Sequence, residues 1–316
     1  MSNLRIKIKD MKLLNYIFIL CFVIVITFTN IKTYAISSPS VGYIAKNSKI
    51  NGYDPVSYFG VLDPSNGNFQ HYRGDSAPLS LASIVKVPVA LAVLDDLDSG
   101  KYTLSSAAIL PSWASGDGSA GTTVLENLKR MLGPSDNSAT NALIVKAGGL
   151  DQVTAKVRKY GLNNTSINCL LSPQSINYNT CRSKNVSTMR DLVKSMDIIR
   201  TRNTANSKAI INPMITTSYT YNHTGRVFNK CGLNSKSLGD IGVFQVTANG
   251  ATKQYVYAAV VDFPNGDGAY YDSRTEPLAG KIATTSLSEK RDPISKATQW
   301  LINDLSQGFE LTNGAL

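Results

Sequence analysis

From Ser83 to Leu97 the chain is apolar almost without interruption, and it stops at Asp98-Ser99-Gly100. A helix that is apolar on every side has to be surrounded by other layers. The segment therefore predicts a buried central helix ended by Gly100. Pro88 lies in its early part and should kink the helix or delay its start. Just ahead, Val56 to Val61 and Asn68 to Tyr72 flank Asp63-Pro64-Ser65-Asn66-Gly67, which is the pattern of two strands joined by a turn.

A helical middle follows this segment. Val124, Leu125, Leu128, Met131 and Leu132 share one helical face before Gly133-Pro134. Ser135 or Asp136 can then cap a helix that runs to Gly148-Gly149. Asp151 is expected to cap another, ending at Gly161. Residues 162–186 are polar and Asn-rich and read as loop, and Ser187 should start a helix with Leu192, Met196 and Ile199 on one side. The pattern changes to strands at Asp240 to Thr247 and Tyr255 to Phe263, joined by Ala248-Asn249-Gly250. A last helix is expected from Asp292-Pro293, with Ile294, Ala297, Leu301 and Leu305 as its core stripe. Strands from both ends of the chain around a helical middle predict an α/β domain over residues 51–316. Its all-helical insertion spans about 102–210.

The first stretch has a different character. Arg5, Lys7, Lys9 and Lys12 precede a 16-residue apolar run, Leu13 to Phe28, and Thr33-Tyr34-Ala35 offers small residues for cleavage. This is the pattern of an export signal over residues 1–35. The run is shorter than the ~20 residues of a membrane span. Cleavage near Ala35 is therefore expected, with a retained membrane anchor through residues 13–28 as the alternative. Residues 36–50 read as a linker. Removing the signal takes away five basic residues and one acidic one, which lowers the formal charge from +10 to +6. No Lys/Arg block or basic helix points to nucleic acid.

An exported chain can keep a disulfide. Cys169 and Cys181 flank a polar segment and are expected to pair, leaving Cys231 as a lone thiol. With two histidines in all, and no Cys-x-x-Cys spacing, a zinc site is not expected, and the chemistry is sought in other side chains.

Ser83-Ile84-Val85-Lys86 supplies a candidate. Three residues apart at the start of a helix, the two side chains share a face. A serine hydroxyl is a poor nucleophile until a base takes its proton, and a lysine in a desolvated pocket can lose enough pKa to serve. The helix N-terminus also favours negative charge developing at the attacked carbonyl. About fifty residues later comes Ser135-Asp136-Asn137, at a predicted helix start.

With both motifs in this order, the chain resembles class A β-lactamases and penicillin-binding proteins. The likeness is carried by Ala82-Ser83-Ile84-Val85-Lys86-Val87-Pro88, by Leu97-Asp98-Ser99-Gly100-Lys101 and by Ser135 through Leu143. It covers roughly residues 75–263 and the last helix. It implies an antiparallel sheet flanked by helices with an all-helical subdomain, and no cofactor. It also implies that Ser83 is the nucleophile and Lys86 its base, that Ser135 relays a proton to the leaving nitrogen, and that Asn137 holds the substrate's side-chain amide.

The family's Lys-Thr-Gly element has two imperfect counterparts, His223-Thr224-Gly225 and Lys230-Cys231-Gly232. The second stands closer to the next strand and has a strand-like lead-in, which favours Lys230. Gly232 and Leu233 would then line the substrate site, with the backbone N–H groups of Ser83 and Leu233 as the oxyanion hole. Cys231 stands where the family has a carboxylate-binding Thr. The family's deacylating Glu would fall near Leu171 to Gln174, but the chain has no glutamate between Glu126 and Glu276.

The resemblance implies three readings. The first is an exported acyl-enzyme acting on β-lactams or peptidoglycan stem peptides that acylates readily and deacylates slowly. The second is a true β-lactamase. The third is a non-catalytic cell-wall-binding relative.

Overall fold

The computed structural model describes residues 56–72, 75, 78–173, 177, 179–215, 226–233, 237–248, 250–262 and 314–315. The N-terminal apolar run, the 36–50 linker, His223-Thr224-Gly225 and the helix expected from Asp292 lie outside them.

Strands β1 (Val56–Asp63) and β2 (Asn68–Tyr72) form the expected hairpin, in register from Phe59 opposite Tyr72 to Asp63 opposite Asn68. The Asp63 carboxylate accepts from the Ser65 N–H at 2.8 Å, and Gly67 takes a φ of 75° to close the turn. A short strand, β3 (Leu79–Ser80), leads to a 3₁₀ turn over Ser83–Val85 and then to α1 (Lys86–Asp98). A second 3₁₀ turn, Ser112–Ala114, precedes α2 (Val124–Leu132), α3 (Asn137–Lys146) and α4 (Leu150–Lys159). Strand β4 (Val186–Ser187) pairs with β3, and α5 (Met189–Arg202) and α6 (Ala205–Ile215) follow. The chain then returns to the sheet with β5 (Arg226–Leu233), β6 (Ser237–Ala248) and β7 (Ala251–Asp262), and β8 (Gly314–Ala315) adds a short edge.

The sheet has the order β5-β6-β7-β1-β2-β8 and is antiparallel except where β8 runs parallel to β2. Ile241, Val243, Val256, Ala258 and Val260 point from it into the same core as the helices. Helix α5 lies across β1, β2, β6 and β7, and α1 lies beyond it, touching each of α2 to α6. That position explains the uninterrupted apolar run. Val87 and Val89 through Leu94 have no exposed surface, and each fully buried Val or Leu contributes about 1.5–3 kcal/mol.

Several sequence expectations are refined. Pro88 delays the helix rather than kinking it: regular α-structure begins at Lys86, so Pro88 sits in the first turn, where no intrahelical N–H is required. Asp136, not Ser135, caps α3, accepting from the Ala139 N–H at 2.9 Å. Asp151 is not a cap. Gly149, at φ 90°, occupies that place in α4, and Asp151 binds Arg182 from the first turn. Thr188 rather than Ser187 caps α5, with its hydroxyl accepting from the Asp191 N–H at 3.2 Å. Helix α6 was not anticipated, because Pro213 interrupts its pattern.

Candidate active site

Three segments meet: the turn at the head of α1, the turn before α3, and the end of β5. Ser83 opens the 3₁₀ turn and Lys86, the first residue of α1, caps it three positions on, which brings the two side chains to one face. Lys86 Nζ lies 3.0 Å from Ser83 Oγ. Its other neighbours come from the second segment. Ser135 stands at φ 67°, a left-handed conformation that turns both its carbonyl oxygen (2.6 Å) and its hydroxyl (2.9 Å) onto Nζ. Asn137, the first residue of α3, presents Oδ1 at 2.8 Å. The Asp136 cap and its hydrogen bond from the Ser119 N–H (2.8 Å) fix this turn.

These four contacts accommodate a neutral amine. The Ser135 carbonyl and Asn137 Oδ1 can only accept. A neutral Lys86 amine gives its two N–H groups to them and is left with a lone pair toward the Ser83 and Ser135 hydroxyls. Burial holds the Lys86 amine well below the usual lysine range, and the charge of nearby Lys230 pushes it the same way. Lys86 has no exposed surface. An amine placed in this way can act as a general base on a serine.

Lys230 lies on β5, buried, and donates from Nζ to the Cys231 carbonyl at 2.5 Å. Burial lowers its pKa as well. Gly232, two residues on, is indispensable to the approach of strand and turn. A Cβ at this position would stand 2.6 Å from the backbone nitrogens of both Ser83 and Ile84. The strand end therefore lies against the backbone N–H groups at the head of α1, and Leu233 follows as the last residue of β5. Cys231 lies between Lys230 and Gly232 on this strand, and its partner across the ladder is Asp240. Among the described residues, no group of three or more His, Cys, Asp or Glu side chains could hold a metal ion.

The loop between Asn168 and Asn185 supplies a wall beside Ser83 through its described residues, among them Cys169 to Ser172 and Ser183 to Asn185. Cys169 and Cys181 form a disulfide across its neck. Asn185 ties the same neck independently. Its Oδ1 accepts from the N–H groups of Asn168 (2.8 Å) and Cys169 (2.9 Å), while Nδ2 donates to the Cys169 carbonyl (2.9 Å). Asn141 clamps Leu171 in the same way, accepting from its N–H at 2.8 Å and donating to its carbonyl at 3.0 Å. A groove of about 490 Å³ runs from Ser83 along this loop, lined by Ala82, Asn137, Leu171, Ser172 and Lys184 among others. Among the described residues no carboxylate lines it.

Of the residues that sequence reasoning singled out, Ser83, Lys86, Ser135 and Asn137 meet directly, Lys230 acts on Lys86 through its charge, Gly232 lies against the Ser83 backbone, and Leu233 is the next residue on β5. It missed Asn141 and Asn185 as loop clamps, because their partners are 16 or 30 residues away and no local pattern announces them.

The arrangement can be set beside known proteins. PBP-A has a structure that superposes with a TM-score of 0.64 at 20% identity, over 85% of this chain and 96% of its own. A PBP-A variant solved as an acyl-enzyme complex with penicillin-G gives a TM-score of 0.62 at 21% identity, over 85% and 97%. A β-lactamase from Burkholderia vietnamiensis gives 0.65 at 15% identity, over 88% and 99%. Identities this low establish the fold alone. No curated protein is similar enough in sequence to count as a match. The profile of the beta-lactamase enzyme family, however, matches residues 45–289, most of the chain and every residue of the cleft, and the chain belongs to that family.

Proposed function

We propose that this protein is an exported serine acyl-enzyme that reacts with β-lactams or D-alanyl stem peptides and releases the acyl group slowly. The placement of Lys86 carries the first half. With its two N–H groups held by acceptors, the neutral amine takes the Ser83 proton as Ser83 Oγ attacks the carbonyl carbon. The developing oxyanion is received by the N–H groups of Ser83 and Leu233. When the C–N bond breaks, Ser135 passes the proton from Lys86 to the leaving nitrogen. Lys230 supplies positive charge for the substrate carboxylate, without the hydroxyl that Cys231 replaces.

Slow release follows from the loop wall. Breaking the acyl ester needs a base for the attacking water, and the loop offers Leu171 and Ser172, neither of which accepts a proton at neutral pH. General-base help of this kind is typically worth about 10²–10⁴-fold, so its lack leaves a persistent adduct. Export is supported by the Leu13–Phe28 run behind four basic residues and by the disulfide. Membership of the beta-lactamase enzyme family favours a second reading, efficient β-lactam hydrolysis. Stopped-flow with a chromogenic cephalosporin tests the choice. A burst of one equivalent followed by a slow steady state supports the proposal, rapid linear turnover without a burst supports the second reading, and no reaction together with no mass adduct would leave only a binding role.

A further inference from the structure

Ser172 is one of three non-glycine residues with positive φ among the described residues, at φ 45°. Such a conformation persists where the surroundings over-determine it, and that is the case here. The preceding residue, Leu171, is clamped at both backbone groups by Asn141. On the other side Gly116 presses against the same stretch. A Cβ on it would stand 2.4 Å from the Leu171 carbonyl oxygen and 3.3 Å from that of Ser172. Held in this way, the Ser172 hydroxyl accepts from Asn137 Nδ2 at 3.1 Å.

That bond completes the orientation of Asn137. Its Oδ1 accepts from Lys86, which as an amine or an ammonium gives an N–H there, so the carboxamide cannot be flipped without setting Nδ2 against a donor. Ser172 then takes one N–H of Nδ2, and the second remains for the groove that opens at Ser83. We infer that Ser172 is a positioning residue. It fixes the Asn137 amide so that its remaining N–H meets the carbonyl of an acyl donor carrying a secondary amide beside the reactive carbonyl. This rests on the acyl-enzyme reading above. It gives the loop wall a role in acylation even though it has no base for deacylation.

The test compares acylation of the full chain by two penams, benzylpenicillin with its side-chain amide and penicillanic acid sulfone without one, followed by intact mass. The readout is the ratio of the two acylation rate constants, in the wild type and in Ser172→Ala, Ser172→Gly and Ser172→Asp. Loss of one oriented hydrogen bond should reduce the preference for the amide-bearing penam about tenfold in both the Ala and Gly variants. Asp tolerates the left-handed conformation and keeps an acceptor, so it should restore the preference. A ratio unmoved in Ala and Gly would overturn the inference. So would a wild-type ratio in Gly alone, because the backbone conformation and not the hydroxyl would then be responsible. No adduct on the wild-type protein would overturn the acyl-enzyme reading itself, a result distinct from an adduct whose ratio does not move.

Discussion

Gly232→Ala separates the placement of the proposed oxyanion hole from the stability of the fold. The added methyl would stand 2.6 Å from the backbone nitrogens of Ser83 and Ile84, and ordinary contact begins at 3.4 Å, so the strand end or the turn must retreat by about 0.8 Å. Neither obstacle is a flexible side chain. Both are the peptide backbone that aims the Ser83 N–H. A misplacement of about 1 Å at a reacting centre typically costs about 10²-fold. Losing one oxyanion-hole donor costs about 10²–10³. Acylation by benzylpenicillin is therefore expected to slow by about 10²-fold or more, read as the second-order rate of adduct formation by intact mass. Gly239→Ala is the companion measurement. Its Cβ would meet the Ile84 side chain, with Cδ1 at 2.8 Å and Cγ2 at 3.0 Å, and so crowds a side chain rather than the backbone. Overpacking of this kind costs about 1–3 kcal/mol, so Gly239→Ala should lower the melting temperature while acylating within a few-fold of wild type. Equal loss of acylation in the two variants, or normal acylation by Gly232→Ala, would refute the proposed contact between β5 and the nucleophile turn.

Three further outcomes are expected. In the proposed mechanism acylation requires the neutral form of Lys86, so its rate should rise with pH and level off well below the ordinary lysine range, because burial and Lys230 lower that pKa; a pH–rate profile of adduct formation that still climbs through pH 10 would contradict this. Leu171→Glu should speed release of the acyl group at least about tenfold, since Asn141 holds that backbone in place at the groove wall and a carboxylate can serve as the missing base; time-resolved mass spectrometry of the adduct gives the rate. Replacing both Cys169 and Cys181 by Ala should cost about 3 kcal/mol of stability by the loop-entropy model, yet leave acylation within a few-fold, because Asn185 and Asn141 tie the loop independently; chemical denaturation alongside labelling checks both halves.

Much of the site was legible in the sequence because its parts are local. Ser83 and Lys86 are three residues apart at the head of an apolar helix, and that spacing alone brings a hydroxyl to an amine. The capping residues before α3 and the turn between β1 and β2 were also local, which is why both elements fell where expected, with Asp136 one of the two caps foreseen, while the caps of α4 and α5 lie two residues and one residue from the expected Asp151 and Ser187, at Gly149 and Thr188. The disulfide joins residues only twelve apart. The missing glutamate was visible as a gap in composition.

Other features depend on distance along the chain and were decided by the tertiary structure. Lys86 is oriented by Ser135 and Asn137, 49 and 51 residues away, and no propensity in either segment encodes that meeting. Ser135 and Ser172 both adopt left-handed backbone that serine does not favour, because the packed turn and the Asn141 clamp impose it. Gly232 reads as an ordinary strand glycine until the start of α1 is laid against it. Nearest-neighbour chemistry fixes which groups the chain carries and which face of a helix they share. Only close packing of α1, α3, β5 and the loop wall determines which lone pair faces which proton, because a hydrogen bond tolerates a few tenths of an ångström and that precision comes from many contacts at once.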